Sequence, residues 1–179
     1  MKVIHIAGSS GAGKSAVSRR LRERGYQAIS TDGAPGLCRW VDRDGQEAVR
    51  PDDPDRAWLD AHEWVWDAER LDSLIEENAG PGTLFLCGMA NNDDEFVDRF
   101  DATVLLEIDR PTMLARLSDP TRGNDFGRCG DSRQLAIDTL ESEQDDYRRR
   151  GALVVDATGD LDTVVDAILE SLEERQLLG

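Results

Sequence analysis

The sequence predicts an α/β fold: a doubly wound, five-stranded parallel sheet flanked by helices, in one domain over residues 1–179. Three observations predict it. Short apolar runs alternate with helical patterns along the whole chain, which favours parallel strands joined by right-handed crossovers. Two of those runs, TLFLC (83–87) and TVLLEI (103–108), are unbroken, as strands covered on both faces require. The first run leads at once into a glycine-rich turn that opens a helix.

KVIHIA (2–7) is apolar, alternates and ends at glycine, so it reads as a buried strand. A helix follows from Lys14 to about Arg24, with Val17 and Leu21 on one face and Gly25 closing it. YQAIST (26–31) is the second strand. Residues 32–57 mix Gly33, Pro35, Gly36, Gly45, Pro51 and Pro54 with charges and are expected to be mostly loop. Asp55 to about Asn78 is expected to be helical, as two helices broken near Asp67. After the third strand (83–87) and the fourth (103–108) come a helix over 111–118, a Gly/Arg/Asp-rich loop over 118–130 and a helix over 131–150. ALVVD (152–156) is the fifth strand. In the last helix Leu161, Val164, Val165, Ile168, Leu169 and Leu172 form one stripe at helical spacing.

A formal charge of −16 argues against duplex nucleic acid or an anionic membrane as partner, because the global field repels polyanions. Cys38, Cys87 and Cys129 form no CxxC pair, which excludes a disulfide framework or zinc site and fits a reducing compartment. Met1-Lys2 leads straight into a strand and no long apolar span occurs, so a cytoplasmic protein is expected. The sequence says nothing of oligomeric state.

GSSGAGKS (8–15) fits G-x-x-x-x-G-K-[ST] between the first strand and the first helix. Phosphate chemistry needs that pattern. Gly8, Gly11 and Gly13, with Ser10 and Ala12 between them, let backbone N–H groups turn inward, Lys14 reaches the β/γ-phosphates, and the Ser15 hydroxyl holds Mg²⁺. The helix adds its positive N-terminus. ATP or another NTP, with Mg²⁺, is the expected ligand.

The form GxxGxGKS and the short chain resemble the shikimate, gluconate and adenylate kinase group of P-loop kinases. EIDRPTMLARLSDPTRGNDFGR (107–128) is similar to the segment where those enzymes carry an inward arginine followed by an arginine-bearing lid. The resemblance implies a lid over about 118–130, with Arg116 before it and Arg122 and Arg128 within it. VDATGDLDTVVDAIL (155–169) is similar to the strand, loop and helix that cup adenine, which implies contacts from Ala157, Gly159 and Asp160. Independently of that likeness, phosphoryl transfer needs cations over the moving group and a loop that excludes water, which two arginines on a glycine-hinged loop can supply.

The acceptor region is expected over about 32–78. A hydroxyl acceptor benefits from a carboxylate, and Asp32 follows the second strand at its C-terminal end, where ligands of parallel sheets bind. Shikimate and gluconate kinases carry an aspartate in the corresponding place, so Asp32 is the candidate base or, with Ser15, metal-organising residue; an Asx-turn is its alternative role. Arg39, Trp40, Asn91 and Asn92 are candidate acceptor contacts. In WLDAHEWVWD (58–67) a helical wheel assigns Trp58, Leu59, His62, Val65 and Trp66 to packing and leaves Trp64, with Trp40, to stack on an acceptor ring. These residues together predict an ATP- and Mg²⁺-dependent kinase acting on a hydroxyl of a nucleoside or similar ring-bearing small molecule. If arginines among 39–56 clamp a phosphate, the enzyme is instead a nucleoside monophosphate kinase; a regulatory NTP-binding module is the alternative outside catalysis.

Overall fold

A computed structural model describes residues 1–179. The five predicted strands form one parallel sheet in the order β2-β6-β1-β7-β8: β1 (Lys2–Ala7), β2 (Gln27–Ser30), β6 (Thr83–Cys87), β7 (Ala102–Glu107) and β8 (Leu153–Asp156). The hydrophobic strands are central and the chain winds outward from β1 in both directions, which opens a crevice at the C-terminal ends of β1 and its neighbours. One face of the sheet, with Ile4, Ile6, Phe85, Val104 and Leu106, packs on α1 (Lys14–Glu23) and α6 (Leu161–Glu173) through Val17, Leu21, Val165, Ile168 and Leu172. The α6 stripe is therefore the one its periodicity predicts. The other face, with Val3, Leu84 and Leu86, packs on Leu71 and Leu74 of α3 (Ala68–Glu77) and on Trp66.

Two stretches differ from expectation. Residues 32–57 are not mostly loop: β3 (Cys38–Asp42) and β4 (Glu47–Ala48) join β5 (His62–Trp66) in a second, antiparallel sheet of order β4-β3-β5. The helix expected from Asp55 stops early, as α2 (Arg56–Ala61), and the chain then extends into β5 before α3 begins. The reason lies in the side chains. His62, Trp64, Val65 and Trp66 are β-branched or aromatic and lose rotamer freedom in a helix, while an adjacent β3 offers them cross-strand partners. Period two then replaces the helical wheel. Trp64 pairs with Trp40 and Trp66 with Cys38 across the ladder. Of the stretch, Leu59 and Trp66 are buried in the interior, Trp66 at 2% exposure, while Trp58, His62 and Val65 are only half-buried.

The rest follows the sequence closely: α4 (Arg110–Leu117), a loop, α5 (Gly130–Arg149) and β8. No helix is long and apolar enough to cross a membrane.

Where β6 ends, Gly88 lies so close to Thr31 that a Cβ added there would sit 1.5 Å from Thr31 Oγ1 and 2.7 Å from Thr31 Cβ. The Thr31 side chain fills the space that a side chain at 88 would need. Gly88→Ala should therefore destabilise the fold by about 1–3 kcal/mol or more in urea unfolding, as overpacking does, and Thr31→Gly in the same chain should recover most of that loss.

Candidate phosphate and acceptor site

The turn between β1 and α1 is shaped for an anion. Gly11 and Gly13 take left-handed φ values of 85° and 100°, which side chains rarely adopt. Four helices of this acidic chain, α2, α3, α4 and α6, have an aspartate side chain on their first-turn N–H groups: Asp55, Asp67, Asp109 and Asp160. Helix α1 has none, and no acidic residue in its first turn. Its N–H groups and positive end are left for a ligand. Ser9, buried, leaves its Oγ without a partner in the same turn.

Lys14 Nζ donates to the carbonyls of Gly8 (2.5 Å) and Ser9 (3.1 Å). Burial lowers its pKa, against the raising field of Asp32. Asp32 is exposed, in a short turn over Thr31–Gly33 directly after β2, and it acts electrostatically on Arg122 as well as Lys14. Cys38 Sγ donates to the Thr31 carbonyl (3.3 Å) and so ties β3 to this turn. Ser15 Oγ lies 3.5 Å from Ser30 Oγ. The fold thus brings Lys14, Ser15, Asp32 and Arg122 to one end of the sheet.

Arg122 is half-buried, and desolvation lowers its pKa. It donates to Ser10 Oγ (3.3 Å) and to the Phe126 carbonyl (2.7 Å). Arg116 takes a different post. Its guanidinium donates to the carbonyls of Ala12 (3.2 Å) and Ala157 (2.7 Å), bridging the phosphate turn to the loop after β8, with Gly11 and Gly159 at the margin of reach. It holds the two nucleotide-side loops together rather than reaching over the mouth of the turn. Arg128 is exposed and donates to the Arg122 carbonyl (2.7 Å), shaping the lid from outside.

Four expected ligand contacts are otherwise engaged. Asn91 Oδ1 accepts from Trp64 N (2.8 Å) and Asn91 N donates to Trp64 O (2.7 Å). Asn92 repeats the arrangement on Trp66, Oδ1 accepting at 2.9 Å and Nδ2 donating at 3.1 Å. The two asparagines complete the open edge of β5, which engages the Oδ1 atom of each. Asp160 caps α6 through the N–H groups of Asp162 and Thr163, both at 3.1 Å. Arg39 is paired with Asp67 (2.7 Å).

The aromatic wall is larger than the sequence indicates. Trp40 packs at ring-centroid distances of 5.1 Å from Trp58, 5.5 Å from Trp64 and 6.1 Å from Phe126 of the lid. Trp58 stacks on His62 at 4.0 Å, and His62 Nδ1 donates to the Trp58 carbonyl (2.7 Å), a packing role with no metal cluster anywhere in the chain. Sequence reasoning assigned Trp58 to the interior and overlooked Phe126; the lone aromatic in the glycine-rich lid was the available signal.

It also missed a buried polar group behind the site. Asp93, 3% exposed, accepts from Tyr147 Oη and from Arg150 Nη1 (2.8 Å). Burial first, then the Asp93 carboxylate, pushes the Tyr147 phenol well above its usual pKa. Arg150, just past the end of α5, is the counter-ion of this carboxylate. His5 lies nearby, its Nε2 donating to the Gly88 carbonyl (3.0 Å), and burial lowers its pKa.

With this geometry in place, the comparison with known proteins becomes specific. The AAA domain family matches residues 4–134, from β1 through the phosphate turn and lid into α5. The chain belongs to that family. Solved structures similar to this AAA-domain chain include a deoxyadenosine kinase from M. mycoides with bound dATP (17% identity, 97% of this chain and 100% of that one, TM-score 0.56). A gluconokinase from Sinorhizobium meliloti 1021 is likewise 17% identical over 97% of this chain and 92% of its own, at TM-score 0.57. A shikimate kinase from Acinetobacter baumannii in complex with shikimate is 16% identical over 99% of this chain and 96% of its own, at TM-score 0.60. No curated protein sequence matches the chain. The fold of this AAA-domain protein is that of the small P-loop kinases.

If Asn91 and Asn92 serve β5, their loss should read as stability and not as altered ligand affinity. Asn92→Ala strands the Trp66 N–H and should cost about 1–3 kcal/mol in urea unfolding, with nucleotide affinity by titration calorimetry unchanged.

Proposed function

We propose that the protein is an ATP- and Mg²⁺-dependent kinase that phosphorylates a hydroxyl of a ring-bearing small molecule, a nucleoside or similar metabolite. The observation that carries this reading is Asp32: a carboxylate, exposed to the mouth of the phosphate turn, within the field of both Lys14 and Arg122. A phosphate acceptor would be repelled by it; a hydroxyl acceptor is oriented by it. The arginines of the acceptor segment support the same choice. Arg39 pairs with Asp67, Arg50 with Asp125, and Arg56 with Asp60 and Asp138, while Arg43 donates to the Asp60 carbonyl. Three of the four thus face carboxylates of this chain, which disfavours a nucleoside monophosphate kinase. The wall of Trp40, Trp58 and Trp64 offers flat apolar faces with limited rotamer freedom, suited to a planar ring.

In this reading the backbone N–H groups of residues 8–15 and Lys14 hold the β- and γ-phosphates. The acceptor hydroxyl, held by Asp32, forms its bond to the γ-phosphorus as the bond to the ADP oxygen breaks, and its proton passes to the Asp32 carboxylate. Arg122 covers the charge that spreads over the equatorial oxygens. Ser15 Oγ and Asp32, hard oxygen donors at the mouth of the turn, are the residues that would hold Mg²⁺. The metal would supply positive charge against the phosphates.

The test is an acceptor screen following ADP release with nucleosides, nucleoside monophosphates, shikimate-like polyols and amino alcohols. A nucleoside or related ring compound should stimulate release, and Asp32→Asn should lower kcat by about 10²–10⁴-fold while leaving ATP affinity nearly unchanged. Stimulation by monophosphates alone, with Asp32→Asn active, would establish the monophosphate kinase instead. Slow ATP hydrolysis that no compound accelerates would point to a regulatory module.

A further inference from the structure

The lid loop between α4 and α5 carries a single aromatic side chain, Phe126. Its ring lies against Trp40 of the second sheet, centroids 6.1 Å apart and planes inclined by 35°. Its carbonyl accepts from Arg122 Nη1 at 2.7 Å, and the other terminal nitrogen of Arg122 reaches Ser10 Oγ in the phosphate turn. One residue therefore touches the acceptor wall with its side chain and the lid arginine with its backbone. The turn around it is closed on itself. Arg128 N donates to the Asp125 carbonyl (3.0 Å), Arg128 Nη2 to the Arg122 carbonyl (2.7 Å), and Gly127 N to Ser132 Oγ (3.1 Å). Such a unit moves as a body, so whatever seats Phe126 also seats Arg122.

We propose that Phe126 is a positioning residue: seated on Trp40, it fixes the lid turn so that its carbonyl aims the Arg122 guanidinium at the γ-phosphate position. The Trp40 wall thereby sets the lid arginine, and a planar molecule on that wall is felt at Arg122. Asp125 adds a second tie, to Arg50 at 2.7 Å, but Asp125 is exposed and such pairs yield to solvent and salt. The ring contact is the anchor. Guanidinium recognition depends on direction, and a displacement of about 1 Å in a charge that must meet the transferred group is enough to cost about 10²-fold.

The inference rests on the kinase reading only in requiring that a triphosphate occupy the turn, and its test needs no acceptor. Dissociation constants for Mg·ATP and Mg·ADP are measured by titration calorimetry on the parent protein, Phe126→Ala, Arg122→Ala, the double variant and Phe126→Tyr. Melting temperatures establish that each variant is folded. The parent should prefer ATP. Arg122→Ala and Phe126→Ala should each lose about tenfold of that preference, the double variant should lose no more than Arg122→Ala alone, and Phe126→Tyr should keep it. Arg50→Ala should change it by less than about twofold. The inference is overturned if the parent shows no preference for ATP, if Phe126→Ala retains it or fails to fold, or if the two losses multiply. An acceptor screen without phosphoryl transfer, beside intact non-additivity, would sink the kinase reading and leave this one standing.

Discussion

Much of the structure hangs on the segment that leaves β6, Gly88 to Asp93. Gly88 N donates to the Ile6 carbonyl (3.1 Å) and Gly88 O accepts from His5, so the segment continues the parallel sheet for one more residue at its centre. Thr31 occupies the room that a side chain at 88 would take, which draws the Asp32 turn against β6. Asn91 and Asn92 then complete the edge of β5, and Asp93 turns inward to Tyr147 and Arg150 at the end of α5. The parallel sheet, the second sheet and α5 are thus joined within six residues. A buried carboxylate is costly unless paired and hydrogen-bonded, and removing either partner typically costs about 3–5 kcal/mol. Asp93 has both a hydroxyl and a guanidinium, so its buried carboxylate is hydrogen-bonded and paired.

This arrangement accounts for how a small chain holds two substrate-side surfaces in fixed relation. The second sheet is short, and β4 has only two residues. Such a sheet is marginal on its own. It is held by the asparagine edge, by Trp66 buried against Leu71 and Phe96, and by the Asp67 cap that continues β5 directly into α3. The lid, by contrast, has few buried apolar contacts beyond Phe126 and Gly127.

The parallel sheet was legible because its signals are local: unbroken apolar runs, a glycine-rich turn of fixed spacing, an apolar stripe on α6. The second sheet was not. Around β3 and β4 the glycines and prolines that punctuate the chain read as loop, and the charges of CRWVD, Arg39 and Asp42, lie three residues apart and break the alternation that marks a strand. HEWVW reads equally as helix or strand over five residues, since Val65 and Trp66 are apolar neighbours in either period. What decides is β3, far upstream, and tertiary pairing overrides propensity. Within the site, the gathering of Lys14, Ser15 and Arg122 at one end of the sheet was legible from spacing and resemblance. The bonds of Asn91 and Asn92 to β5 were not, because an asparagine that completes a strand edge has the same sequence appearance as one that meets a ligand. Asp93 and Arg150 lie 57 residues apart, and no local pattern connects them.

A chain of charge −16 that binds a triphosphate needs its cations placed, not numerous. Most arginines here are engaged by neighbouring carboxylates, and such surface pairs contribute little to stability. Their consequence is to cancel charge everywhere except where a carboxylate is missing. That place is the phosphate turn: α1 lacks the acidic cap that α2, α3, α4 and α6 carry, Lys14 bonds only backbone carbonyls, and Arg116 and Arg122 do the same apart from the Ser10 hydroxyl. Beyond about 8–10 Å the negative surface is screened by physiological salt, while the half-buried cations act at contact distance. Net charge therefore slows the approach of a nucleotide and makes it salt-dependent, but the local field decides whether it stays. Asp32 is the carboxylate that acts most strongly on Lys14, and no arginine pairs with it. Its presence there sets one negative group beside the cations of the turn, the arrangement on which the proposed hydroxyl acceptor rests.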